Sequence, residues 1–265
     1  MTTATRFRVQ HPRRAWIAAL LVPACMLLTV AASGCANSTS IKTEDIVSSI
    51  PWSAPESHTY ELKVNNKVQG QTTLSIANEG DAVVLTQHAI DDQGNSDDSV
   101  VRADATTLKP NSATHTVTDS TVKRIADATY EDTDKDCAGK RVVLIKQSTF
   151  KPPDAATSDS SRSSPLCVPE HSYDNDSSLF IWRTIKFEKE YTVTYTTVFS
   201  NRRDTQKVTL RVAKQEKMQT PAGEFDTWRV ELTADQVSQI AWFATTDDHK
   251  LIAYQNESFF FRLMK

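Results

Sequence analysis

Four cysteines, six histidines and two aspartate-rich stretches are the residues of this 265-residue chain that could do chemistry. A thiol can take up a lipid, pair with a second thiol or hold a metal. Ser148-Thr149-Phe150-Lys151 has the Ser-x-x-Lys spacing that can set a lysine base against a serine nucleophile. That chemistry needs a helix and a downstream Lys-Thr-Gly; here the motif ends a predicted strand and no Lys-Thr-Gly follows. Asp132, Asp134 and Asp136 alternate as calcium ligands do. Cys137 stands where that loop needs its glycine, and Val143 where it needs its closing glutamate. The other aspartate stretch, residues 91–98, reads as a polar turn. His58, His88, His115, His171 and His249 are dispersed without metal spacing. GxSxG, HExxH, P-loop and dinucleotide fingerprints are all missing. The expectation is a non-enzymatic protein with no cofactor and no metal.

Cys35 has the most informative surroundings. Residues 1–14 carry Arg6, Arg8, Arg13 and Arg14 and no acid, and Ala15 to Ala32 carries no charge. A basic start, an apolar run and small residues at its end are the parts of a secretory signal. Ala32-Ser33-Gly34-Cys35 resembles the lipobox of bacterial lipoproteins, although Ala32 stands where that pattern most often has leucine. The resemblance implies that the Cys35 thiol receives a diacylglycerol, that the peptide is cut before it, and that the new N-terminus is acylated. Several acyl chains are needed for stable anchoring, each buried CH₂ contributing about 0.8 kcal/mol. Ala36 then implies the periplasmic side of the outer membrane, or the outer face of the cell membrane in a host with one membrane. The alternatives are an ordinary signal or a transmembrane anchor, for which 18 apolar residues lie at the short edge of the ~17–25 required. On the lipoprotein reading, residues 1–34 are the signal peptide, 35–58 a lipidated tether and 59–265 one β-rich domain.

Removing residues 1–34 takes away four arginines and no acid, so 30 basic residues less four, against 33 acidic, leave a charge of −7. A modestly acidic exported protein with no basic run longer than two is not built to hold nucleic acid. Cys25 leaves with the signal and Cys35 takes lipid. Cys137 and Cys167 remain as an even pair in an oxidising compartment, where a disulfide is expected. A metal pair or free thiols are the other readings.

From Tyr60 the pattern turns to period two, the strand signature. In Tyr191–Ser200, Tyr191, Val193, Tyr195, Thr197 and Phe199 share one face and the intervening residues the other. Similar runs cover 60–64, 71–76, 82–90, 99–104, 141–150, 206–214, 225–232, 240–244 and 250–255. Turns rich in Gly, Asn and Asp separate several of them. This spacing predicts an antiparallel meander, sandwich or barrel. Residues 151–176, rich in Ser, Asp and Pro, read as a long surface loop pinned by Cys167. Residues 176–184 read as a short helix, with a strand as the alternative; it must lay Leu179, Phe180 and Trp182 on the sheet, because so short a helix cannot stand alone.

Four segments then suggest a family. "TPAGEFDTWRVEL" followed by "AWFATTDDHKLIAYQ" resembles the exported bacterial family called domain of unknown function 3108, as do "SYDNDSSLFIWRTI" and "TTLKPNSATHT". The resemblance implies a mainly β fold, an open or half antiparallel β-barrel of the lipoprotein-carrier kind with one short helix, and it implies no activity. The residues themselves add that Pro221 and Gly223 suit a tight hairpin. They also put Arg229 and Glu231 on one face, where structural pairing is the expectation.

The C-terminal half is rich in aromatic residues. Phe180, Trp182, Trp228, Trp242, Phe243 and Tyr254 are candidates for the wall of an apolar cavity, with plain core packing as the alternative; an open barrel need not fill every inward position. Phe259, Phe260 and Phe261 place apolar groups on both faces of the last strand, so both faces need cover. The expected function is a membrane-anchored envelope lipoprotein that binds a lipid or acyl chain. The alternative is a structural or assembly lipoprotein whose partners are envelope proteins.

Overall fold

The structure is a computed structural model describing residues 45–132, 137, 141–234, 237–257 and 259–264, all within one compact unit, Ile41–Lys265. Residues 1–34, Cys35 and most of the 132–136 stretch lie outside the described residues. The first wing of the fold is a meander of β1 (Glu56–Val64), β2 (Lys67–Glu79), β3 (Ala82–Asp91), β4 (Ser96–Asp104), β5 (Pro110–Thr118), β6 (Lys123–Glu131), β7 (Arg141–Phe150) and β8 (Ser160–Val168). The second runs through β9 (Ser172–Asp174), β10 (Thr192–Phe199), β11 (Asp204–Thr220), β12 (Gly223–Ala234), β13 (Val237–Ala244), β14 (Leu251–Asn256) and β15 (Phe259–Leu263). Between β9 and β10, α1 (Ser178–Ile181) is flanked by 3₁₀ turns Asn175–Ser177 and Trp182–Thr184.

Antiparallel pairing of β1 with β15 joins the wings into one sheet of fifteen described strands, with β8 and β9 at its edges. All ladders are antiparallel except β9 on β10. The edges face each other without a backbone ladder, and side chains cross the gap. Tyr130 on β6 donates to Asp174 on β9 at 2.6 Å. Gln147 on β7 donates to the carbonyls of Ser200 and Asn201, at 3.0 and 2.8 Å, in the β10–β11 turn. Arg203 reaches Ser164 on β8. The result is a nearly closed, mainly β barrel, as the sequence leads one to expect.

The helical turns of 175–184 fill one end of this barrel as a plug. Asp174 caps them by accepting from the Asp176 amide at 3.0 Å, and Ser177 donates back to the Asp174 carbonyl at 2.7 Å. Leu179, Phe180, Ile181 and Trp182 are all buried. Arg183 is buried too, forked onto Glu56 at 2.5 and 3.2 Å, with Trp52 under its guanidinium. The segment before β1 also packs here: Ile46 is buried, and the amides of Ser48 and Ser49 donate to the Thr184 carbonyl. The domain therefore takes in residues from Asp45 onward, inside the span expected to be tether.

Within the expected loop over 151–176, residues 151–159 are turns and irregular backbone, while 160–168 and 172–174 form two strands. β8 is an exposed edge, where Pro165 and a run of serines are tolerated because one side needs no ladder partner. Cys167 on β8 does pair with Cys137, closing a 30-residue separation. β5 and β6 also lie outside the predicted strands. The hairpin at 220–226 forms as expected, with Gly223 at φ 127° directly after the Pro221-Ala222 turn. Arg229 donates to Glu231 at 3.2 Å, and Arg211 to the same carboxylate at 2.6 Å, so that pair is structural.

Candidate functional site

Cross-strand register sorts the inward side chains of the first wing into three rows, because directly opposed residues point to the same face. The first row, Ile76, Leu85, Val101, Ala113, Ala128 and Ile145, is apolar and buried. The second is mixed: Leu74, Gln87, Ser99, His115, Ala126 and Gln147. The third turns polar, with Asp97, Val117, Arg124 and Thr149 in register. The apolar row belongs to the same buried core as Leu179, Phe180 and Ile181 of the plug. The polar rows line space.

That space includes a cavity of about 290 Å³ between the plug and both wings. Its apolar wall comes from Leu179 and Trp182 on the plug and from Val208, Leu232, Tyr254 and Phe261 on the second wing. The Trp182 ring lies 6.0 Å from that of Tyr254, and Tyr254 lies 5.7 Å from Phe261. The polar tips of these rings are already used. Trp182 Nε1 donates to the Tyr195 hydroxyl at 2.8 Å, and the Tyr254 hydroxyl donates to Gln239 at 2.7 Å. What faces the cavity is therefore largely ring surface.

The opposite wall is polar and centres on His115. Its Nδ1 lies 2.9 Å from Asp176 Oδ2 on the plug and its Nε2 3.4 Å from Asp97 Oδ1 on β4. Burial pulls the imidazole towards its neutral form, but the hydrogen bond to Asp176 and the charges of Asp176 and Asp97 outweigh it and hold the pKa at about 9. Asp97 is pushed up by burial, against the pull of His115. Asp174 is pushed up as well, by its complete burial and then by the neighbouring Asp176 charge. At neutral pH, His115 is a cation clamped between two carboxylates, with both ring nitrogens engaged. It has no lone pair free to take a proton from Ser99, its cross-strand neighbour.

Of the six aromatic residues read as a cavity wall, Trp182 and Tyr254 border this cavity. The other four do not, and the reasons are geometric. Phe180 and Phe243 are fully packed, Phe243 against Phe187 at 5.5 Å. Trp228 is half-buried opposite Phe243 in the same packed layer. Trp242 alternates to the outer face, where its Nε1 donates to Glu216 at 2.7 Å and its ring meets Phe260 at 6.1 Å. The three phenylalanines divide as their alternation requires: Phe261 inside, Phe260 outside, and Phe259 exposed where it lines the cavity. Among the described residues the Ser148 hydroxyl meets only that of Ser161, at 3.4 Å, the weak contact of an ordinary cross-strand pair. The importance of His115 escapes sequence reading because its partners lie 61 and 18 positions away. An inward polar row, where strand alternation calls for apolar residues, is the signal that could have revealed it.

Among the described residues no cluster of His, Cys, Asp and Glu could hold a metal, and no helix is long and apolar enough to cross a membrane. No curated protein matches the chain. Among solved structures, a Bacteroides fragilis protein described as having a YmcC-like fold is similar over 83% of this chain and 98% of its own, at 10% identity and a TM-score of 0.32. A family model described as "Protein of unknown function (DUF3108)" matches residues 56–260. With the turn, plug and hairpin segments that suggested it all inside that span, the chain belongs to the DUF3108 family.

Proposed function

We propose that this chain is an exported, non-enzymatic lipoprotein, anchored through Cys35 to the periplasmic side of the outer membrane, or to the outer face of a single cell membrane. In this reading its barrel binds a single-chain apolar or amphiphilic ligand. The observation that carries the binding role is the cavity beside Trp182, Leu232, Tyr254 and Phe261, roofed by a plug that the fold builds inside its own barrel. Its volume of about 290 Å³ lies just below the ~300–1,000 Å³ of ligand sites, which favours one chain over a two-chain lipid. The clamped state of His115 supports a binding role over catalysis, since a general base needs an available nitrogen and a pKa near the working pH. The apolar run before Cys35 and the Cys137–Cys167 disulfide support export.

Two measurements test this reading. Native mass spectrometry of the mature protein released from its own membrane should find a reproducible bound small molecule. A vacant barrel with a stoichiometric protein partner would favour the assembly role instead. Palmitate labelling should mark the protein and be lost with Cys35→Ser, while an unlabelled wild-type protein would overturn the anchor.

A further inference from the structure

A second space opens beside the first, and His115 borders both. It is a groove of about 340 Å³ between the inner face of β5–β7 and the β10–β11 turn. Two cations reach it: Arg124 from the third inward row and Arg202 from the turn. Neither makes an ion pair among the described residues, although Asp119 lies near enough to feel Arg124. Arg202 is positioned twice over. Its guanidinium lies 3.7 Å from the centre of the Phe199 ring, and Gln147 holds the turn through the carbonyls of Ser200 and Asn201. Thr149, in register with Arg124 on the inward row, adds a hydroxyl donor, and no carboxylate lines the groove. Asp97 and Asp176 lie on the cavity side and are bound to His115.

Phe199 links the two spaces. It lines the apolar cavity and also lies under Arg202. Guanidinium groups match carboxylate and phosphate in planar, bidentate geometry, and two that make no direct ion pair among the described residues form a receptor for an anion. Resting on the interior-binding reading above, we propose that the groove takes the anionic end, carboxylate or phosphate, of the amphiphile whose apolar chain lies beside Trp182 and Tyr254.

The test uses the complete mature chain carrying Cys35→Ser, its folding checked by its melting transition, and titrates it with decanoate, decanol and inorganic phosphate. Decanoate should bind about tenfold or more tightly than decanol, a difference of about 1.4 kcal/mol. Arg124→Gln with Arg202→Gln should bring decanoate down to the level of decanol and leave decanol unchanged. These arginines are exposed, so their loss should spare the fold. Equal binding of decanoate and decanol would overturn the anion groove while leaving the apolar cavity standing. Binding of neither would overturn both. Phosphate binding as tightly as decanoate would identify a free-anion site and overturn the shared ligand.

Discussion

His115 on β5 and Asp176 on the plug meet at 2.9 Å, joining the barrel wall to the segment that fills it across 61 residues of sequence. The contact sits where the packed end of the barrel gives way to the hollow end. Both residues line the candidate cavity, so the contact ties the barrel wall to the plug at the site itself.

Stability should fall as pH rises through this contact. The His115 pKa is raised when folded, to about 9 from an ordinary 6.5, so its contribution is complete below about pH 6.5 and is lost towards pH 9. One pKa unit corresponds to 1.36 kcal/mol, which bounds the effect at about 3 kcal/mol. Asp174 and Asp97, also raised, act in the same direction. Urea unfolding at intervals from pH 6 to 9.5 should show the decline, and His115→Gln should flatten much of it. An unchanged slope in that variant would remove His115 from the account.

Glu56 and Arg183 form the other anchor of the plug. Arg183 is nearly inaccessible and also donates to the carbonyls of Asp248 and His249 at 2.8 and 3.2 Å. Burial works against the Glu56 charge, but hydrogen bonds from His58 and Arg183, with the charge of Arg183, lower its pKa to about 2. Glu56→Gln should cost about 3–5 kcal/mol, because it strands a buried cation. The double change Glu56→Leu with Arg183→Leu should cost less than the sum of its parts. The stability from Glu56 is present above about pH 4.5 and is lost as pH falls towards 2, so Glu56→Gln should also weaken the acid transition. Equilibrium unfolding of Glu56→Gln, of the double variant and of its two single parts checks both effects.

The Cys137–Cys167 bond restrains the β6–β8 region near the sheet edge. Its 30-residue separation predicts about 3–4 kcal/mol from restriction of the unfolded chain. The paired change Cys137→Ser with Cys167→Ser should lower the urea midpoint accordingly. An unchanged midpoint would mean that the edge is already held by Arg203, Gln147 and Tyr130.

The strands that could be read from sequence are those rich in β-branched and aromatic residues, such as β10, whose Val193 and Tyr195 face inward. β5 and β6 were harder to read because their inward positions are Ala113, His115, Ala126 and Ala128. Small side chains there leave room for the plug, so the usual apolar alternation is weak. β8 was hidden for the opposite reason: as an exposed edge it needs few apolar residues, and its serines and Pro165 look like a loop. The plug was readable through its cap and its apolar run. Its place inside the barrel was not, since that depends on β1 closing onto β15 at opposite ends of the domain. The same holds for the site. Trp182 and Tyr254 could be named as apolar candidates, but only register shows that Trp242 faces outward and that His115 and Arg124 face in.

The most direct test is a crystal structure of the Cys35→Ser mature chain with an alkyl acid brominated at its far end. The account predicts an anomalous bromine peak inside the barrel, in contact with the rings of Trp182 and Tyr254. Bromine found only on the outer surface, with ordered water filling the interior, would contradict it.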